Sequence, residues 1–141
     1  MEYITLSNGV KMPQLGYGVY QVTKNECERC VRDAPDVGYR SIDTAQSYFN
    51  EEEVGKAIET SGIGRKEIFL TSKVWIEHFG YEECKKSVLE SMEKLRTDYL
   101  DLMLLHRLLE ILTVHGALWK NFTRKENSGP SVFPIIIQTV W

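Results

Sequence analysis

The stretch GYRSIDTAQSYFNEEEVGKAI, residues 38–58, runs from a short apolar segment through a polar loop into a helix that opens on three glutamates. Residues 40 to 45, RSIDTA, read as a strand. Asn50 stands where a helix N-cap is expected, and Glu51, Glu52 and Glu53 suit the positive end of the helix dipole. Val54, Ala57 and Ile58 recur at helical spacing, which gives that helix one buried stripe. The turn of this β–α unit therefore carries Asp43 at the end of the strand and Tyr48 just beyond it.

The same unit repeats outward. LGYGVY, residues 15–20, is a short strand with glycines near its end. Thr23 and Glu26 fit a capping box for a following helix. Cys27, Cys30, Val31 and Ala34 form its apolar stripe, and Gly38 closes the segment. Pro35 is expected to end this helix early, because an interior proline costs about 3 kcal/mol; residues 36 to 38 then make the turn. EIFLTSKVW (67–75) is a third strand. YEECKKSVLESMEKLRT is an amphipathic helix through Cys84, Val88, Met92 and Leu95. YLDLMLLH (99–106) is a fourth strand, apolar enough to be buried on both faces. Ahead of all these, EYITLSNGVKMPQ alternates apolar and polar around Asn8-Gly9, a two-residue hairpin signal.

A hairpin followed by β-α-β-α-β-α-β implies a parallel sheet of the α/β class. Two architectures fit: an open doubly wound sheet, or the N-terminal half of an eight-stranded (β/α)8 TIM barrel. GYGVYQ lacks the third glycine of a dinucleotide-binding G-x-G-x-x-G fingerprint, which tilts the balance towards the barrel.

With 141 residues, 43% hydrophobic and 26% charged, the chain reads as a globular domain. A net charge of −3 gives no nucleic-acid signal. No run approaches the ~20 apolar residues of a membrane span, and there is no secretion signal, so a cytoplasmic protein is expected. Three cysteines argue against a disulfide framework. CERC is a C-x-x-C, but without a second ligand pair it predicts no metal site. Cys27 and Cys30 read as small buried hydrophobes, with a thiol redox module as the weaker alternative.

In a parallel array the C-terminal ends of the strands share one face. Those ends deliver Gly18, Val19 and Tyr20, then Asp43 with Tyr48, then Lys73, then His106. A phenol gives up its proton reluctantly near neutrality, with a pKa of about 10, and an ammonium close by stabilises the phenolate. A carboxylate holds the ammonium, and an imidazole can donate to a carbonyl oxygen. The set suits protonation of an oxyanion as it forms. Simpler roles compete: a solvated lysine or histidine, or an aspartate bonded to local backbone amides. If a carbonyl carbon is reduced here, the hydride must come from a cofactor.

Residues 1–106 resemble the N-terminal part of the aldo-keto reductases through LSNGVKMPQLGYGVYQV, GYRSIDTAQSYFNEEEVGKAI, FLTSKVW and YLDLMLLH. The likeness is to the prokaryotic branch, which reduces small aldehydes, ketones and keto-sugar acids. It implies a TIM barrel, NADPH as cofactor with NADH as the alternative, a small carbonyl substrate, and reduction to an alcohol. It further implies Tyr48 as proton donor, tuned by Lys73 and Asp43, with His106 orienting the carbonyl. Gly18, Val19 and Asp43 would face the cofactor; Tyr20, Trp75 and His106 would line the substrate mouth. Intact members of the family are usually monomeric.

From residue 107 the text changes. Residues 107–141 hold four Lys and Arg against two acids, where residues 1–106 hold thirteen against eighteen. Residues 117–127, ALWKNFTRKEN, admit codons whose alternative frame, begun at the third base of the Ala117 codon, reads Ala-Met-Glu-Glu-Leu-Tyr-Lys-Glu-Gly-Lys. Continued through SGPSVFPIII, it reads Leu-Arg-Ala-Ile-Gly-Val-Ser-Asn-Tyr-Tyr, which resembles the family's fourth helix and fifth strand. The expectation is a frameshift just after His106. The chain would then be a partial barrel with a divergent tail, its VFPIII window aggregation-prone and its cofactor site mostly missing. Such a half-barrel would be catalytically inactive and self-associate through unpaired strand edges.

Overall fold

The computed structural model describes residues 1–106. Six strands and three long helices follow in the order hairpin, then alternating strand and helix. They are β1 Tyr3–Thr5, β2 Lys11–Pro13, β3 Tyr17–Gly18, α1 Lys24–Asp36, β4 Ser41–Asp43, α2 Glu51–Thr60, β5 Phe69–Val74, α3 Tyr81–Lys94 and β6 Leu102–Leu105. The strands β3-β4-β5-β6 lie in chain order in one sheet. Every pairing in it is parallel: Gly18 faces Asp43, Asp43 faces Thr71, and Lys73 faces Leu104. With the strands in chain order and helices between them, this is half of a β/α barrel, one of the two architectures that the alternation left open.

The two faces of the sheet differ because side chains alternate along each strand. Ile42, Leu70, Val74 and Met103 pack with Val31, Val54, Ala57 and Val88 of the helices in the main core. Phe69, Leu102 and Leu104 point the other way and meet Leu6, Val10 and Met12 of the hairpin. Both faces of β6 are thus covered, and Leu102, Met103 and Leu104 are buried.

Local details depart from the sequence expectations. The hairpin closes through three residues rather than two. Leu6 pairs with Val10, Gly9 N–H donates to Leu6 O at 2.9 Å, and Gly9 takes φ 84°. That is a turn followed by one left-handed residue, which glycine adopts without strain. Helix α1 runs through Pro35 and ends one residue beyond it. A proline in the last turn removes only one bond, and the end is closed by Gly38 N–H on Pro35 O and Tyr39 N–H on Ala34 O, both at 3.0 Å. Thr23 does precede α1, but its hydroxyl donates to the Glu26 carboxylate at 2.7 Å instead of capping a backbone amide.

Helix α2 lies tightly against the end of α3. A Cβ added at Gly55 would come within 2.6 Å of the Leu95 backbone and of Lys94 O. Only a residue without a side chain permits this approach.

Candidate active site

Strand β4 ends at Asp43, and the chain turns through Thr44 and Ala45 into a single helical turn, Gln46–Tyr48. Lys73 lies on the neighbouring strand, and its side chain, 14% exposed, reaches back towards the first. Its ammonium donates to Asp43 Oδ1 at 2.6 Å and to Thr44 O at 2.9 Å. Two acceptors of this kind fix the direction of the ammonium as well as its charge. The same nitrogen stands 5.0 Å from the centre of the Tyr48 ring. His106, just past β6, meets Tyr48 edge-on with ring centres 5.8 Å apart, and Trp75 likewise at 5.3 Å. Tyr20 covers Tyr48 from the β3 side at 5.1 Å. The phenol, ammonium, carboxylate and imidazole named from the strand ends are therefore neighbours, inside a collar of Tyr20 and Trp75.

Gly18 is exposed, and nothing lies within 4 Å of the point where a side chain would begin. It presents open backbone to the rim beside the part-exposed Asp43. Val19 behaves differently. It is fully buried, its N–H donates to Asp43 O, and its carbonyl accepts from Asn50. Val19 supports the rim from beneath, whereas Gly18 and Asp43 reach it.

Asn50 also departs from its expected role. It precedes α2, but its side chain makes no capping bond. The amide turns inward, is 1% exposed, and donates to Val19 O at 3.0 Å while accepting from Thr44 Oγ1 at 2.9 Å. It ties the loop after β3, which carries Tyr20, to the loop after β4, which carries Tyr48. An asparagine before an acidic helix start reads as a cap; its burial depends on the neighbouring strand.

A second polar cluster lies behind the rim. Glu51, 2% exposed, accepts from Ser72 Oγ at 2.7 Å and Ser91 Oγ at 3.4 Å. Burial raises its pKa; the two serine bonds and the more distant Lys94 charge pull it down by less. Gln46 reaches the same place, donating to Ser87 O and Ser91 Oγ and accepting from Trp75 N–H at 2.8 Å. Sequence patterning gave no sign of Gln46, Ser47 or Glu51 as site-shaping residues, because a polar residue in a polar loop looks solvated.

Of the CERC cysteines, Cys27 is buried, with its thiol pushed up to about 11 by desolvation, and Cys30 is half-buried. Among the described residues no three His, Cys, Asp or Glu side chains are grouped to hold a metal. No helix among them is long and apolar enough to cross a membrane.

Comparison with known proteins adds to this geometry. The family model described as the aldo/keto reductase family matches residues 6–129. The glyoxal reductase of Bacillus subtilis (strain 168) is 51% identical over 104 residues, covering 73% of this chain and 38% of that protein. The methylglyoxal reductase DkgA of Escherichia coli (strain K12) is 39% identical over 126 residues, covering 89% of this chain and 45% of that protein. In structure, the aldo/keto reductase of Brucella melitensis superposes with a TM-score of 0.87 at 43% identity, over 96% of this chain and 52% of the other. The chain thus spans about half the length of the relatives it matches. A parallel four-stranded half-barrel with this rim, and a family match over most of its length, make this chain a member of the aldo/keto reductase family.

Proposed function

We propose that the activity built on this rim is the NADPH-dependent reduction of small aldehydes and ketones to alcohols, with NADH as the alternative reductant. The observation that carries it is the Lys73 ammonium, gripped by Asp43 and Thr44 O and held over the ring of Tyr48. A nicotinamide cofactor, when bound, supplies hydride to the carbonyl carbon. The open backbone at Gly18 and the part-exposed Asp43 would hold its nicotinamide end.

The remaining work falls to this chain. As the carbonyl carbon gains hydride, its oxygen takes the proton of the Tyr48 hydroxyl, and the electron pair of the O–H bond stays on the phenolate. Lys73 stabilises that phenolate with a fixed positive charge, and solvent returns the proton later. His106, edge-on to Tyr48, donates to the same carbonyl oxygen and orients it. Tyr20 and Trp75 give the mouth an apolar wall that lowers the local dielectric and strengthens these interactions. The names of the relatives make glyoxal and methylglyoxal suitable first substrates.

The test is NADPH oxidation by the 141-residue chain with methylglyoxal. Tyr48→Phe should lower the rate by about 10²–10⁴-fold, the usual worth of a positioned general acid. An unchanged rate would remove Tyr48 from the chemistry.

A second proposal is that this polypeptide by itself is inert and self-associates. It draws on the four parallel strands among the described residues, against the eight of a complete barrel. A folded monomer that binds NADPH tightly would defeat it. The frameshift proposed after His106 concerns residues 107–141, which lie outside the described residues. The family model matches in frame to residue 129, so an in-frame likeness and a shifted frame compete over that segment. The gene's codons decide between them.

A further inference from the structure

The one-turn helix Gln46–Tyr48 delivers three consecutive side chains to three different places. Gln46 goes backward into α3 and onto Trp75 N–H. Tyr48 goes to the rim beneath Lys73. Ser47 lies between them, with its hydroxyl oxygen 3.1 Å from Nδ1 of His106. We infer that Ser47 is a positioning residue: its hydroxyl donates to His106 Nδ1 and so places the imidazole proton on Nε2.

The physical basis is the asymmetry of neutral imidazole. One ring nitrogen carries the proton and the other a lone pair, and the partner of either nitrogen selects the form. A hydroxyl can act as donor or acceptor, so the bond alone admits both tautomers. The rigidity of the turn keeps the pair together, and the need of a rim carbonyl for a donor selects the Nε2–H form. Gln46 makes three bonds to two other elements, and Tyr48 N–H closes the turn on Ala45 O at 3.0 Å, so the backbone at Ser47 is held with its hydroxyl within reach of Nδ1. His106 is equally fixed, its backbone N–H on Val74 O at 3.0 Å and its ring edge-on to Trp75. Two anchored groups at hydrogen-bond distance lose little entropy in forming the bond. A carbonyl oxygen at the rim needs a donor, and only the Nε2–H form offers one while Nδ1 faces Ser47.

The inference rests on the carbonyl-reductase reading for its choice of donor, but its test needs neither cofactor nor substrate. Long-range proton–nitrogen correlation spectra of the nitrogen-15-labelled full chain separate the two tautomers. They are recorded above the ordinary imidazole pKa of about 6.5. The His106 signals are identified by their loss in His106→Gln. The expected result is a dominant Nε2–H form in the unaltered chain. In Ser47→Ala and Ser47→Val, the ratio of Nε2–H to Nδ1–H should fall roughly fivefold, which corresponds to one hydrogen bond of about 1 kcal/mol. Ser47→Thr, matched to valine in shape but keeping the hydroxyl, should restore it. A dominant Nδ1–H form, or a ratio indifferent to the hydroxyl, overturns the assignment. Failure of methylglyoxal reduction with the tautomer pattern intact would strike the catalytic reading alone.

Discussion

Ser72 and Lys73 are consecutive residues of β5, and each bonds a carboxylate supplied by the same β–α unit, residues 38–58. They point to opposite faces of the sheet, and the environments they reach have little in common. Lys73 meets Asp43 at a rim where the carboxylate side chain is 39% exposed and the pair is cation to anion. Ser72 meets Glu51 behind the rim, where the carboxylate is 2% exposed and its nearest partners are two hydroxyls. The rim holds a charged pair and remains open to water. The cluster behind it accepts the cost of a buried acid in order to lock α2, α3 and β5 together. Rim substitutions should therefore act mainly on rate, and substitutions behind it mainly on stability.

The sharpest way to break this division is at its two extremes. Lys73→Met removes the ammonium from above Tyr48 and should lower methylglyoxal reduction by about 10²–10⁴-fold, comparable with the effect expected of Tyr48→Phe. Its melting temperature should move less than that of the packing variant Gly55→Ala, because the partner Asp43 can turn to solvent. Steady-state NADPH oxidation and thermal unfolding on the same preparation check both halves. A large loss of stability with rate preserved would reverse the assignment of roles.

Gly55→Ala tests the other side. Gly55 follows Glu51 by one helical turn on the same face of α2, and a methyl group there would sit 2.6 Å from the Leu95 backbone and Lys94 O. Backbone cannot yield as a side-chain tip can, so α2 must move off α3, at a cost of about 3 kcal/mol. Denaturant unfolding should show the midpoint lowered with the slope unchanged. A loss under about 1 kcal/mol would mean that the helix pair is loosely held and that Glu51 is less enclosed than its burial implies.

The same contrast explains what could be read in advance. Asp43, Lys73 and His106 were legible because a parallel sheet sends every strand end to one face, which is a rule of topology and needs no side-chain detail. Asn50 was misread as a cap because local sequence cannot say that Val19 O and Thr44 Oγ1 wait on the other side. Ser47 and Gln46 were missed because their partners come from segments 59 and between 29 and 45 residues distant, respectively. Pro35 was assigned to a helix end that in fact lies one residue later, since a last-turn proline sacrifices a single bond. Local rules found what periodicity carries. Buried polar pairs, which depend on distant chain, stayed hidden.

The smallest expected effect discriminates most finely between the two acids. Burial raises the pKa of Glu51 above the ordinary value of 4.5, so the folded chain holds this proton more tightly than the unfolded one. Below the unfolded value both states are protonated, and the contribution to stability is fully present. As pH climbs, the unfolded chain releases the proton freely while the folded chain resists, so stability is lost as pH passes through the raised pKa of Glu51. Glu51→Gln cannot ionise, and its amide can still bond Ser72 and Ser91. Melting temperatures of the two proteins should be close near pH 4 and diverge in favour of the glutamine variant towards about pH 8, by a few degrees at most. Parallel curves would mean that the serine bonds and the Lys94 charge offset burial completely. Glu51 would then carry its charge without penalty, and the two sides of the strand would no longer differ.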